Sequence, residues 1–319
     1  MDKQISPIHN RGGEKNMIKV IVTTFPFNYG EKFFKNTNFG YHIQIKYNEI
    51  KRKYTREEHI EVIKKEQPDV IIAGTEKYDK EILSMMPNLK MISRVGIGID
   101  GIDLSECAKR GIIIKNTPDA PTNAVAELTV CQILNMLRKI QNVSNDMIYK
   151  ERWNRYIGRE LKNCSVGIIG FGRVGKSVYK KLKNFNCKIY YNDIKDDKST
   201  DIDHIFKNCD IITLHIPLED KEICNINFIT KRELNMMKEN VRLLNMSRGG
   251  IINEDHLYDF LLKNKKSTIA IDTFENEPYK GKLTELGNVY LTPHLGSCTI
   301  ASRIAMEEQA IENFLMEEF

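Results

Sequence analysis

No stretch of this 319-residue chain is apolar for long enough to span a bilayer, so nothing in it calls for a membrane. Met1 to Asn16 is polar and lacks the hydrophobic stretch of a secretion signal; it is expected to be a disordered tail on a cytoplasmic protein. The seven cysteines (Cys107, Cys131, Cys164, Cys187, Cys209, Cys224 and Cys298) are odd in number, scattered, and include no C-x-x-C pair. That argues against a disulfide framework and for a reducing, intracellular setting. The seven histidines show neither H-E-x-x-H nor any paired spacing, which leaves a structural or catalytic metal without support. Blocks of five or six like charges are missing as well. The 48 basic and 43 acidic side chains are spread along the chain for a formal charge of +5, and nucleic acid is not implied. Internal repeats and low-complexity tracts are absent.

What the chain does have is enough apolar material, 41% of residues, to build substantial cores, and a length that fits two domains better than one. From Met17 onward, short β-branched runs alternate with amphipathic stretches, the pattern of parallel sheets flanked by helices; the class is α/β. Strands are expected at Ile18 to Thr24, around Ile43, Ile45 and Tyr47, and at Val70 to Ala73, Met91 to Val95 and Ile112 to Ile114. Thr55 to Glu58 has capping-box spacing and opens a helix that Pro68 closes out, while Asp103 caps a shorter helix that Gly111 ends. The breaker-rich segment Thr117 to Asn123 marks a domain boundary. Beyond it, a long helix carries Val125, Leu128, Cys131, Leu134 and Leu137 along one face. A second βα series follows, with strands at Val166 to Ile169, Lys188 to Tyr191, Ile211 to His215, Arg242 to Asn245, Thr268 to Ile271 and Val289 to Leu291. Thr230 to Glu233 is another capping box, and a last helix from Thr299 carries Ile300, Ile304, Ile311 and Leu315.

Five of these strand ends carry chemistry. Gly170, Gly172 and Gly175 form G-x-G-x-x-G between an expected strand and an expected helix. The first allows a tight turn, the second lets backbone approach a pyrophosphate, and the third permits close helix packing. Asp193, at the end of the next strand, can accept hydrogen bonds from a ribose and would repel a 2′-phosphate, which favours NAD over NADP. Arg248 follows a buried strand, where a guanidinium can hold a carboxylate in a bidentate fork and polarise a carbonyl; alone, such an arginine is more often a surface or interdomain salt-bridge residue. His294 follows the last strand and can exchange protons near neutral pH, and Glu277 follows the strand before it. A carboxylate on one ring nitrogen would fix the tautomer.

Together these motifs resemble the D-isomer-specific 2-hydroxyacid dehydrogenase family, with the phosphoglycerate-oxidising members nearest. Arg94 to Asp100, Asn116 to Pro118, Val125 to Leu128, His215 to Leu218, and the Arg248, Glu277 and His294 motifs carry the likeness. The resemblance implies two Rossmann-like domains with parallel sheets, the cofactor domain (119–298) inserted into a substrate domain (17–118 plus 299–319). It implies Arg248, Glu277 and His294 as the catalytic trio, and a substrate carboxylate held by Arg248 with the backbone of Gly96, Ile97 and Gly98. Arg173, Val174, His215, Ile216, Pro217, Met246, Ser247, Asp272, Gly296 and Ser297 would join the glycines and Asp193 around NAD. The implied reaction passes a hydride between nicotinamide and carbon 2 of a small D-2-hydroxy or 2-oxo acid. 3-Phosphoglycerate comes first among the substrates, with glyoxylate, hydroxypyruvate and lactate-type acids as alternatives; an NAD(H)-sensing corepressor is the alternative of another class. A homodimer paired through the cofactor domain is implied too. Gly101 stands where phosphoglycerate members commonly have Asn after Asp, and no regulatory domain is expected after the last helix. Thr23 to Tyr29 and Lys51 to Lys53 could supply phosphate contacts, but such segments are more often solvated basic loops.

Overall fold

The structure is a computed structural model that describes residues 17–36, 43–220 and 223–317. The tail expected over residues 1–16 lies outside them. The chain divides into two compact units, Met1–Pro121 with Thr299–Phe319, and Thr122–Cys298. The first crossing comes slightly later than residue 118, because Pro121 still precedes the helix that opens the second unit at Thr122.

In the first unit β1 (Ile18–Val22), α1 (Tyr29–Asn36), β2 (Ile43–Lys46), α2 (Arg56–Glu66), β3 (Val70–Ala73), α3 (Lys80–Ser84), β4 (Met91–Arg94), α4 (Leu104–Lys109) and β5 (Ile113–Lys115) follow in order. The five strands form one parallel sheet in the order β2-β1-β3-β4-β5. All four residues of β3 are buried, as a central parallel strand covered on both faces requires. Side chains alternate across the sheet. Val70 and Ile72 join Val20, Val22 and Met91 in one core, while Ile71 and Ala73 join Ile63, Ile82 and Ile92 in the other. The Thr55 capping box forms as the spacing predicts, with Thr55 and Glu58 satisfying each other's backbone amides, and Gln67 ends α2 in a left-handed conformation just before Pro68. Asp103 caps α4.

The second unit runs α5 (Thr122–Arg138), α6 (Ile140–Lys150), β6 (Ser165–Ile169), α7 (Arg173–Leu182), β7 (Lys188–Asn192), α8 (Ile202–Asn208), β8 (Ile211–Leu214), β9 (Glu219–Asp220), β10 (Ile223–Cys224), α9 (Lys231–Met236), β11 (Arg242–Asn245), α10 (Glu254–Lys263), β12 (Thr268–Ile271) and β13 (Val289–Leu291). Six of its strands make a parallel sheet ordered β13-β12-β11-β8-β6-β7. The chain then returns to the first unit as α11 (Ile300–Leu315).

Two helix faces differ from the expected ones. On α5 the buried positions are Ala124, Ala126, Thr129, Gln132, Ile133, Met136 and Leu137, and Cys131 is exposed. The helix is apolar on more than one side, and small Ala126 and Thr129 face the sheet because they permit close packing. On α11 the buried stripe is Met306, Ala310, Ile311 and Phe314, whereas Ile300 is exposed. Glu307 is buried there because its carboxylate accepts the amides of Tyr29 and Gly30 at 2.8 and 2.9 Å, capping α1 from another helix.

Candidate active site

Because the six strands of the second sheet are parallel and in register, their carboxyl ends form one row. Gly170, Asp193, His215, Met246, Asp272 and Thr292 each stand one or two positions beyond such an end. From β6 the chain crosses outward to β7 on one side, and β8 lies on the other, so the loops after β6 and β8 diverge. A crevice at such a switch point is where open α/β sheets bind ligands.

The crevice is lined as a dinucleotide needs. Gly170 sits at φ +90°, and a Cβ there would come within 2.5 Å of the His215 carbonyl. A Cβ on Gly175 would lie 2.0 Å from the Gly170 carbonyl, so both positions require glycine. At Gly172 a Cβ would meet nothing within 4 Å, and this N-cap residue supplies no side-chain hydrogen bond to α7. Space is therefore open beside the start of α7, the end of a helix that favours an anion. Asp193 accepts the amides of Phe171 at 2.7 Å and Lys195 at 2.9 Å, which fixes its carboxylate beside the glycine turn. His215 lies 3.0 Å from the Thr213 hydroxyl through Nε2, while its enclosed Nδ1 has no partner. Burial drives its pKa down to about 3, so the ring is neutral. The residues present fit NAD.

Farther along the row, Asn245 at the end of β11 is buried; its side chain accepts from Ser247 and donates to the Arg248 carbonyl at 2.7 Å, which shapes the turn carrying the arginine. Next to Arg248, a Cβ on Gly249 would fall 2.0 Å from the Phe274 carbonyl, so the loops after β11 and β12 are in direct contact. Glu277 stands on that second loop. One of its oxygens accepts the Phe274 amide at 3.1 Å, and the other lies 3.0 Å from Nδ1 of His294. Both members of that pair are exposed at the rim.

His294 is held by the backbone around it. It adopts φ +54°, a left-handed conformation that costs a non-glycine residue about 1–3 kcal/mol. Asp272, 1% exposed, takes up that strain: it accepts Leu295 N–H at 2.7 Å, Gly296 N–H at 2.8 Å and the Thr292 hydroxyl at 2.5 Å. Burial raises the Asp272 pKa despite these donors. Asp272, expected in the cofactor lining, has both of its oxygens engaged with the histidine loop. Asn245, Thr213 and Thr292 escaped the sequence reading, although a polar residue ending an apolar strand is the signal that marks each.

In the first unit, Gly96, Ile97 and Gly98 follow β4. The Gly96 amide is already used, donating to the Thr117 hydroxyl at 2.7 Å. The Ile97 and Gly98 amides make no hydrogen bond among the described residues. Arg94 lies against Gly96 and donates to the Val95 carbonyl. Of the segments considered for phosphate, Thr23 and Thr24 are buried, and Arg52 makes a two-pronged pair with Glu58 at 2.8 and 2.6 Å.

The sequence profile of the NAD binding domain of D-isomer specific 2-hydroxyacid dehydrogenases matches residues 130–296. A glyoxylate reductase of Thermofilum pendens is 36% identical over 260 residues, 76% of this chain and 75% of the relative. A D-3-phosphoglycerate dehydrogenase of Methanocaldococcus jannaschii is 36% identical over 264 residues, which are 79% of this chain but only 49% of that protein. Among solved structures, NAD+-bound 3-phosphoglycerate dehydrogenase of Entamoeba histolytica superposes with a TM-score of 0.77 at 26% identity, covering 94% of this chain and 95% of that one.

Proposed function

The chain belongs to the D-isomer specific 2-hydroxyacid dehydrogenases, NAD-dependent oxidoreductases, and from that premise we propose that it reduces a small, unphosphorylated 2-oxo acid of two or three carbons to the D-2-hydroxy acid. NAD carries the hydride to and from carbon 2 of the acid. The chain's own residues handle binding and the proton. Glu277 occupies Nδ1 of His294, which leaves Nε2 to give a proton to the carbonyl oxygen in reduction and to take it from the hydroxyl in oxidation. The carboxylate also stabilises the imidazolium. Arg248 grips the substrate carboxylate and stabilises negative charge growing on the neighbouring oxygen. In the first unit, the unused amides of Ile97 and Gly98 are available to a carboxylate. The single observation that carries this reading is the 3.0 Å contact between His294 and Glu277, on loops braced against the arginine turn.

3-Phosphoglycerate remains the second reading. Against it stand the pairing of Arg52 with Glu58 and a buried carboxylate, Glu76, on the loop after β3, where a phosphate would need cations. The test is NADH absorbance with a panel of 2-oxo acids. Turnover of glyoxylate or hydroxypyruvate above the phosphorylated acid is expected; tight NADH binding with no turnover would overturn the reading in favour of a sensor.

A cytoplasmic homodimer belongs to the same proposal. All seven cysteines are free, which suits a reducing compartment. Among the described residues no helix is long and apolar enough to cross a membrane. Trp153 and Ile157 are 80% and 98% exposed beside Ile148 and Tyr149 of α6, an apolar face that a second copy of the cofactor unit would cover.

A further inference from the structure

We propose that Glu76 selects the substituent on carbon 3 of the substrate, accepting the hydrogen bond of a 3-hydroxyl and repelling a 3-phosphate. This rests on the 2-oxo acid reading above. β3 and β4 are neighbours, with Ala73 in register with Arg94, so the loops that continue them lie side by side on the carboxyl edge of the first sheet. One holds Glu76 and the other holds the unused amides of Ile97 and Gly98. They touch farther along: a Cβ on Gly101 would lie 3.1 Å from the Glu76 carbonyl, and Tyr78 N–H donates to the Gly101 carbonyl at 2.7 Å.

The Glu76 side chain is only 6% exposed, and its two oxygens differ. Oε2 accepts the Gly74 amide at 2.9 Å and the Thr23 hydroxyl at 3.2 Å. Thr23 gives its proton to Glu76, so the Tyr78 hydroxyl, 2.9 Å away, must donate to Thr23. A directed chain from Tyr78 through Thr23 therefore ends on this carboxylate. Oε1 accepts no hydrogen bond among the described residues. That oxygen is not sealed from solvent, so it can take a donor from outside the protein, and a substrate hydroxyl supplies one. A phosphate in the same place would bring two like charges against it. Glyoxylate has no carbon 3 and makes neither contact.

The experiment is steady-state kinetics of the intact protein with NADH and three acids: glyoxylate, hydroxypyruvate and 3-phosphohydroxypyruvate. The wild type is expected to prefer hydroxypyruvate to its phosphate. Glu76→Gln should lower the kcat/KM ratio of hydroxypyruvate to glyoxylate by about tenfold and raise that of the phosphorylated acid to hydroxypyruvate. Thr23→Val, which removes one of the two donors orienting the carboxylate, should move both ratios the same way by a smaller factor. Ratios within about twofold of wild type in both variants would overturn the role of Glu76 and leave the 2-oxo acid reading standing. A wild type that prefers the phosphorylated acid would also overturn it, and one that reduces none of the three acids would overturn both.

Discussion

His294 illustrates how this site is built at the scale of one residue: its backbone conformation is unfavourable and its side chain is exposed, so neither burial nor local preference holds it in place. Two carboxylates do. Asp272 gathers the amides on the far side of the histidine, and Glu277 holds the ring by Nδ1. An exposed ion pair contributes little stability, so the value of the Glu277 contact lies in orientation. His294→Ala is expected to lower turnover by about 100-fold or more while leaving NADH affinity, read by fluorescence titration, nearly unchanged. Near-normal turnover would remove the histidine from the mechanism.

At the scale of elements, the ends of helices and strands rest on side chains distant in sequence. Glu307 of α11 caps α1 and also binds Arg303 at 2.8 Å. Glu307→Ala would leave two amides without their acceptor and the mostly buried Arg303 guanidinium without its carboxylate, and should destabilise the first unit by about 3 kcal/mol in chemical denaturation. A change below about 0.5 kcal/mol would show that the cap contributes nothing. Asp210 plays a similar part at the amino end of β6. Burial pushes its pKa up, but the Ser165 amide and hydroxyl with Lys238 and Arg159 more than reverse this and hold it at about 2. Its native value lies below the ordinary 3.8, so its stabilising effect is complete above pH 3.8 and disappears as pH falls through about 2. Asp210→Asn should unfold earlier than wild type at pH 5, with the gap closing toward pH 2. A gap independent of pH would contradict this.

At the scale of the whole molecule, each unit is a parallel sheet with both faces covered, and chemistry is confined to the carboxyl edges, where chain direction leaves loops free to vary. Exposed large apolar side chains cluster in sequence on α6 and in the segment after it, at Ile148, Tyr149, Trp153 and Ile157. Trp153→Glu combined with Ile157→Asp is expected to convert a dimer to monomers in sedimentation velocity, with the melting temperature falling as the interface is lost. A wild-type protein that sediments as a monomer at micromolar concentration would refute the pairing.

The sequence by itself determined the α/β class, the strands, both capping boxes and the glycine turn, because each follows from short-range rules: side-chain alternation, the reach of a threonine to an amide, the need for a residue without Cβ. Only the tertiary structure decided which faces α5 and α11 bury, since both helices are apolar on several sides and the neighbours choose among them. It alone decided that Glu307 caps another helix, that Asp272 serves the histidine loop and that Glu76 meets the Thr23 hydroxyl. Those partners are between 20 and almost 280 residues away along the chain, and no local pattern records which distant amide a carboxylate will meet.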